Sequence, residues 1–212
     1  MNRTPLIVGL SALGLLGAGI GLALMSKKRE EKARDLAAGV ETVLSQDRRI
    51  PYSVRRWAPQ IARAAARTAP AGWVPLRWAR LLAAVMDRES RGDPSAIGGA
   101  APNRDLGLMQ LNEKWNATWL RGHDWKDPWQ NVEHGAEVLR DKRKTLERIV
   151  GNWAALAPEV QLRAFLAAYN TGESNVKASL IAGRDVDAST TGRDYSLDTL
   201  RRAVAYGFNE TV

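Results

Sequence analysis

The sequence contains no cysteine and only two histidines, His123 and His134, among its 212 residues. The missing thiols exclude disulfide bonds, thiolate nucleophiles and cysteine-ligated zinc, and two isolated imidazoles do not indicate a metal site. The sequence also lacks a glycine-rich run that resembles a phosphate-binding loop or a dinucleotide fingerprint. It therefore predicts a protein with no metal ion and no organic cofactor.

Positive charge is unevenly distributed along the chain, whose formal net charge is +8. Residues 1–70 hold 12 Lys and Arg against 5 Asp and Glu, whereas residues 71–212 hold 19 against 18. Basic residues that flank a hydrophobic segment usually meet anionic lipid headgroups and orient the segment in a membrane. Because the larger part of the chain is nearly neutral, we expect no nucleic-acid partner.

Residues 6–25 form an uncharged run of 20 residues, LIVGLSALGLLGAGIGLALM. At about 1.5 Å per residue, a helix of this length matches a hydrocarbon core about 30 Å thick. The run is longer than the core of a signal peptide, and the SKKR that follows lacks a small-x-small cleavage site. The sequence predicts a transmembrane anchor over residues 1–26. Its Gly17 and Gly21 form a GxxxG pair, which either supports self-association or reflects how common glycine is in membrane helices.

Residues 27–70 are rich in Ala, Arg, Lys and Glu and place apolar residues at helical spacing, at Leu36, Val40, Val43 and Leu44. This pattern predicts a basic juxtamembrane helical stalk. The segment APAG at residues 69–72 is typical of a boundary. A separate globular domain is therefore expected over residues 71–212.

The globular domain is predicted to be mainly α-helical, with few strands and no internal repeat. Prolines at first helical positions and apolar residues three and four apart predict four helices. They are expected from Pro75 to about Ser90, from about Asn131 to Val150, from Pro158 to Thr171 and from Leu197 to Phe208. In the second helix the inward residues are expected to be Val132, Ala136, Leu139 and Leu146.

Glu89 lies at the end of the first of these helices and precedes a loop that contains glycine and proline. A helix end followed by such a loop forms the edge of a cleft. Apolar surroundings destabilise the charged form of a carboxyl, so its pKa rises and it can deliver a proton near neutral pH. A glutamate near a helix end is usually a solvated surface residue, so the position alone indicates little.

Three motifs follow one another in the sequence: Glu89-Ser90, then GLMQ at residues 107–110, then AYNTG at residues 168–172. This ordered set resembles the soluble lytic transglycosylase family, in which ES, GLMQ and AYN-x-G motifs line one glycan cleft. The resemblance covers about residues 73–207. It is closest to small specialised transglycosylases of secretion systems and phage particles, and it implies a lysozyme-like helical domain.

The resemblance implies that Glu89 is a single catalytic acid and base and that the Tyr169 hydroxyl contacts and orients it. The implied substrate is the glycan of bacterial peptidoglycan. Its β-1,4 bond between N-acetylmuramic acid and N-acetylglucosamine would be cleaved with formation of a 1,6-anhydro ring. Such an enzyme would open the cell wall locally, for phage entry or for a secretion apparatus.

The resemblance also implies a set of substrate-binding residues drawn from the same motifs: Ser90, Gly107, Met109, Gln110 and Asn170. Gln110 and Asn170 would hold acetamido and hydroxyl groups of the sugars, and Gly107 would permit close approach of the glycan. Met109 taken alone is more typical of hydrophobic packing than of catalysis.

Asp105 has two interpretations. The segment DLGLMQLN at residues 105–112 also resembles the part of animal c-type lysozymes that carries their second carboxylate. Two carboxylates would permit hydrolysis, so a muramidase that uses Glu89 and Asp105 is the alternative function. In the transglycosylase interpretation, Asp105 would stabilise positive charge on the sugar. A further rival is a non-catalytic membrane-anchored protein that binds glycan or serves in assembly.

The predicted location contains a conflict. Peptidoglycan lies outside the cytoplasmic membrane, yet one basic residue precedes residues 6–25 and five follow within ten residues, which favours a cytoplasmic domain. A virion-associated phage enzyme that reaches the wall from outside would resolve this conflict. We therefore expect either a cell-envelope enzyme with its domain facing peptidoglycan or a virion-associated one, with virion or secretion-complex proteins as candidate partners.

Overall fold

The computed structural model of the protein describes residues 13–209, with side chains from residue 25 onward. This part of the chain is mainly helical, as predicted. Its α-helices are α1 Leu13–Gln46, α2 Tyr52–Arg55, α3 Ala58–Thr68, α4 Pro75–Ser90, α5 Ala117–Leu120, α6 Pro128–Ile149, α7 Pro158–Thr171, α8 Glu173–Ile181 and α9 Tyr195–Ala205. Short 3-10 helices lie at Trp153–Ala155, Val186–Ser189 and Thr191–Arg193.

A small antiparallel sheet lies between α4 and α5. Its strands are β1 Ile97–Gly98, β2 Asp105–Leu106 and β3 Leu111–Asn112, with β2 in the centre. Asp105 pairs with Gly98 on one side and with Asn112 on the other. The sheet therefore holds Asp105 in a fixed position shortly after the end of α4.

Helix α4 runs through the centre of the hydrophobic core. Twelve of its 16 residues are buried, and Trp78, Leu82 and Met86 are fully inaccessible to solvent. A helix that is buried on nearly every side must be surrounded by other elements, and here α1, α3 and α9 pack against it. Because the last turn of α4 lies at the edge of this core, one side of Glu89 faces buried residues.

The predicted stalk shares this core. Val40, Leu44, Ile61 and Ala65 are buried in the same cluster as the residues of α4. Buried Arg80 on α4 also lies 3.7 Å from Asp47, at the end of α1. Residues 40–68 are thus packed with the helices that follow, while the division of the chain at residues 26 and 70 stays a prediction.

The predicted membrane anchor falls partly outside the described residues. Residues 6–12 of its uncharged run lie outside the described residues, and from Leu13 to Gln46 the chain is one helix, α1. Within residues 13–209, no helix combines the length and the apolar character that crossing a bilayer requires. The anchor over residues 6–25 stays a prediction.

The structure confirms most of the predicted helix bounds. Helices α4 and α7 begin at the predicted prolines and end at the predicted residues. Helix α6 begins at Pro128, three residues early, because the Asp127 side chain accepts hydrogen bonds from the first backbone N–H groups. Its four predicted inward residues are all buried. Helix α9 begins at Tyr195 rather than at Leu197, which has a direct consequence for the site.

Candidate active site

Glu89 lies where α4 ends sharply. Arg91 adopts a left-handed conformation with φ 55°, and Gly92 follows with φ 77°. A Cβ on Gly92 would lie 2.1 Å from the backbone oxygen of Ser53, so a side chain cannot be accommodated there. The indole of Trp57 donates to the Gly92 oxygen over 2.9 Å. The tight turn fixes the position of the last turn of α4 and of half-buried Glu89.

The side chain of Ser90 holds two loops together and does not face a cleft. Its hydroxyl is buried and donates to the backbone oxygen of Leu108 over 2.8 Å, while it accepts from the N–H of Gly92. The interpretation of Ser90 as a substrate-binding residue stays a prediction. Its role is to tie the end of α4 to the GLMQ segment.

Gly107 and Met109 also serve the loop itself. Gly107 has φ 74°, and a Cβ there would lie 2.4 Å from the side-chain nitrogen of Asn131. Asn131 in turn donates to the backbone oxygens of Leu106 and Trp125 and accepts from the N–H of Met109. The Met109 side chain is fully buried against Gly135. Protein atoms thus occupy the place of a side chain at Gly107 and surround that of Met109. The predicted glycan contacts of both residues stay predictions.

Gln110 and Asn170 differ in what they leave available. The Gln110 amide nitrogen donates to the backbone oxygens of Ala96 and Gly107, over 3.1 and 2.9 Å, so a sugar contact would fall to its side-chain oxygen. Asn170 is exposed at the end of α7, and its side-chain oxygen accepts from the N–H of Thr191. Its amide nitrogen is the group that a sugar could meet. The sugar contacts of both residues stay predictions.

The hydroxyl that contacts Glu89 belongs to Tyr195 and not to Tyr169. Tyr195 donates a hydrogen bond to Oε1 of Glu89, whereas the Tyr169 hydroxyl donates to the backbone oxygen of Met109 over 2.7 Å. The predicted contact of Tyr169 with Glu89 was therefore wrong. Burial and the nearby charges of Glu89 and Asp105 raise the pKa of Tyr169 well above its usual range, so Tyr169 lines the same site as a neutral phenol.

Tyr195 was not among the predicted site residues, because the last helix was predicted to begin at Leu197. The residue lies at the first position of α9, where it is almost inaccessible. Asp194-Tyr195-Ser196 has the composition of a helix start, with an acidic residue just before the first turn. That signal could have moved the helix start and brought Tyr195 into consideration.

Burial raises the pKa of Glu89 to about 7. The hydrogen bond from Tyr195 lowers this pKa, the negative charge of Asp105 raises it and the positive charge of Arg88 lowers it. The first cause dominates because a buried carboxylate loses its hydration. A carboxyl that titrates near neutral pH can both donate and accept a proton under physiological conditions, as a general acid and base requires.

Asp105 is the second carboxylate of the site. It is half-buried in the central strand of the sheet, and its Oδ1 accepts a hydrogen bond from the Asn112 amide over 2.8 Å. Its charge is close enough to influence Glu89 and Tyr169. This placement suits a group that stabilises positive charge on a bound sugar.

The two histidines have a structural arrangement. Both imidazoles stack on the Trp119 ring, with centroid distances of 4.7 Å for His123 and 4.3 Å for His134 and nearly parallel planes. Across residues 13–209, no group of three or more acidic or imidazole side chains could hold a metal ion.

Comparison with known proteins gives a consistent result. The family model "Transglycosylase SLT domain" matches residues 71–189, which include Glu89, Asp105 and Tyr169 and end six residues before Tyr195. Lysozyme g of Takifugu rubripes is 33% identical over 130 residues, or 61% of this chain and 66% of the relative. Lysozyme g of Epinephelus coioides is 35% identical over 138 residues, or 59% and 65%. The chain thus spans just under two thirds of the length of these curated relatives.

Proposed function

The chain belongs to the transglycosylase SLT domain family, and from this premise we propose that it is a peptidoglycan glycosidase of the lytic transglycosylase type. It would cleave the β-1,4 bond between N-acetylmuramic acid and N-acetylglucosamine. The observation that carries the proposal is Glu89 itself, whose pKa is raised to about 7 at the end of a buried helix. Its neighbours Tyr195 and Asp105 supply a donor and a negative charge.

In this proposal, protonated Glu89 gives its proton to the glycosidic oxygen as the bond from that oxygen to C1 of the muramyl sugar breaks. Positive charge develops on the sugar, and Asp105 is placed to stabilise it. The resulting Glu89 carboxylate then accepts the proton of the muramyl C6 hydroxyl, whose oxygen closes the 1,6-anhydro ring on C1. The attacking oxygen is already part of the bound sugar, so the step is intramolecular and gains from proximity.

A hydrolytic muramidase is the second candidate function, and the relatives named lysozyme g favour it. In that mechanism water replaces the C6 hydroxyl, and a carboxylate accepts its proton. Asp105 is a second carboxylate whose negative charge acts on Glu89. The two functions use the same acid and differ in the product.

Product analysis tests the proposal. Purified sacculi are digested with the protein, and the released muropeptides are analysed by mass spectrometry with and without borohydride reduction. We expect 1,6-anhydromuramyl ends, which are about one water lighter than reducing ends and resist reduction, because the nucleophile is internal. Reducing muramyl ends as the main product would replace the transglycosylase by the muramidase, and no release at all would contradict both.

We further propose that residues 6–25 anchor the protein in a membrane, in the cell envelope or in a virion, with the domain reaching peptidoglycan. The uncharged run and the basic residues behind it support this proposal. Protease protection in vesicles that contain the full chain tests it. We expect the N-terminal segment to be protected from protease and the domain to lie on the membrane face that meets peptidoglycan. A high-salt wash of the same vesicles that removes the chain would contradict the anchor.

A further inference from the structure

One face of α9 is linked to the last turn of α4 by a series of polar contacts. The residues of this face recur every four positions, which places them in line along the helix: they are Asp194, Asp198, Arg202 and Tyr206. Their partners are Asp87 and Arg88, which directly precede Glu89. Tyr195, whose hydroxyl meets Glu89, lies in the first turn of the same helix.

Arg88 makes three contacts around Tyr195. Its Nη2 donates to Oδ1 of Asp194 over 3.3 Å, and its Nε lies 3.2 Å from Oδ2 of Asp198. Its guanidinium carbon lies 5.6 Å from the centre of the Tyr195 ring. The Arg88 guanidinium therefore lies over the Tyr195 ring and binds the residues on either side of Tyr195 in the sequence, Asp194 and Asp198. This arrangement limits how the ring can move.

Asp87 fixes the other end of the contact. It is buried and accepts hydrogen bonds from Arg202 and, over 2.7 Å, from the Tyr206 hydroxyl. Arg202 also donates to Asp198 over 2.9 Å, which joins the two halves of the series. These contacts fix the position of α9 against α4. Within them, Arg88 is the residue that lies over the Tyr195 ring.

We propose that Arg88, held by Asp194 and Asp198, is a positioning residue that keeps the Tyr195 hydroxyl on Glu89. The inference rests on the proposed function only for the role of Glu89 as the acid. Arg88 could instead act on Glu89 directly through its charge. The two possibilities make different predictions, because a direct effect does not need the Tyr195 hydroxyl.

The groups that face Glu89 are Arg88 from α4, Asp105 from β2, Tyr169 from α7 and Tyr195 from α9. Of these, Tyr195 hydrogen-bonds the carboxylate and thereby lowers the pKa of Glu89. Weakening this bond must raise the pKa. Removal of the Asp194 charge acts in the opposite direction if it acts directly, because loss of a nearby negative charge favours ionisation.

The test is a titration of the Glu89 carboxyl by carbon NMR in the full chain, using Arg88→Met, Tyr195→Phe, the double variant and Asp194→Asn. Arg88→Met is expected to raise the pKa of Glu89 by about half a unit or more when Tyr195 is present, and by much less in the Tyr195→Phe background. Asp194→Asn, a milder change, is expected to raise the pKa as well. Arg143→Met is the matched control, since Arg143 also lies over an aromatic ring, the indole of Trp73, and pairs with a carboxylate, that of Glu147.

Equal shifts from Arg88→Met in both backgrounds, or a lowered Glu89 pKa in Asp194→Asn, would overturn the positioning role. A shift in Arg143→Met as large as that in Arg88→Met would do the same. The titration needs no substrate, so its result is independent of whether the protein cleaves peptidoglycan. Failure of the positioning role and failure of the proposed function are thereby distinguishable.

Discussion

Replacement of Glu89 by glutamine is expected to lower the rate of muropeptide release from sacculi by about 10³-fold, within the usual range for loss of a general acid and base. Glutamine keeps the volume and polarity of the side chain but cannot deliver a proton. The fold should persist, because the change removes the cost of burying a carboxyl whose charged form is disfavoured. Initial rates at saturating sacculi, with circular dichroism as the check on folding, measure the effect.

The matched control is Glu159→Gln, which changes an exposed glutamate in the first turn of α7. It is expected to retain the wild-type rate. A Glu89→Gln variant as active as this control would contradict the catalytic role. Absence of any release by the wild-type protein itself would instead favour the rival interpretation, a non-catalytic membrane-anchored glycan-binding protein.

Replacement of Asp187 by asparagine is expected to lower the free energy of unfolding by about 3 kcal/mol or more, as breaking a buried ion pair usually does. Asp187 is buried and accepts from the hydroxyl and N–H of Ser196, from the N–H of Leu197 and from the guanidinium of Arg163. An asparagine amide would face these donors with a donor of its own. Denaturant unfolding monitored by tryptophan fluorescence measures the loss.

Asp185→Asn is the control for Asp187→Asn, because Asp185 pairs with the same guanidinium over 2.7 Å but is more than half exposed. Its loss should cost about 1 kcal/mol at most. Burial alone raises the pKa of Asp187, but the hydrogen bonds from Ser196 and Arg163 outweigh it, so the pKa is lowered overall. The stability that Asp187 contributes is therefore present above its ordinary pKa of 3.8 and is lost as pH falls below it. Equal losses of unfolding free energy in Asp187→Asn and Asp185→Asn would contradict the larger contribution of the buried Asp187 carboxylate.

The position of Asp187 also connects stability to the site. Its two hydrogen bonds to Ser196 hold the first turn of α9, and Tyr195 is the preceding residue. Loosening this turn would free the hydroxyl that meets Glu89. The hydrogen bonds to Asp187 thus support the contact between Tyr195 and Glu89 in addition to Arg88.

The sequence predicted the elements that carry strong local signals. Pro75 and Pro158 mark the starts of α4 and α7, since proline is well tolerated in a first turn, and glycines shortly after each helix mark the ends. The apolar spacing of α6 also identified four of its buried residues. Glu89 was found because it combines a helix end, apolar neighbours and a motif.

The details of the site were not predictable from the same signals. Ser90, Gly107 and Met109 belong to the motifs, yet their contacts are with Leu108, Asn131 and Gly135, which only the folded chain brings near. A motif marks positions where a residue type is needed but does not distinguish a sugar contact from a contact that shapes the loop. Tyr195 lies 106 residues from Glu89 in the sequence, so no local pattern joins the two.

The fold raises the pKa of Glu89 to near neutral pH, and titration of its side-chain carboxyl in the wild-type protein tests this directly. Carbon NMR of the glutamate carboxyls between pH 3 and 9, with Glu89→Gln to identify the signal, gives the value. We expect a midpoint near 7, because burial raises the pKa more than the hydrogen bond from Tyr195 lowers it. A midpoint near 4.5, the ordinary glutamate value, would contradict it.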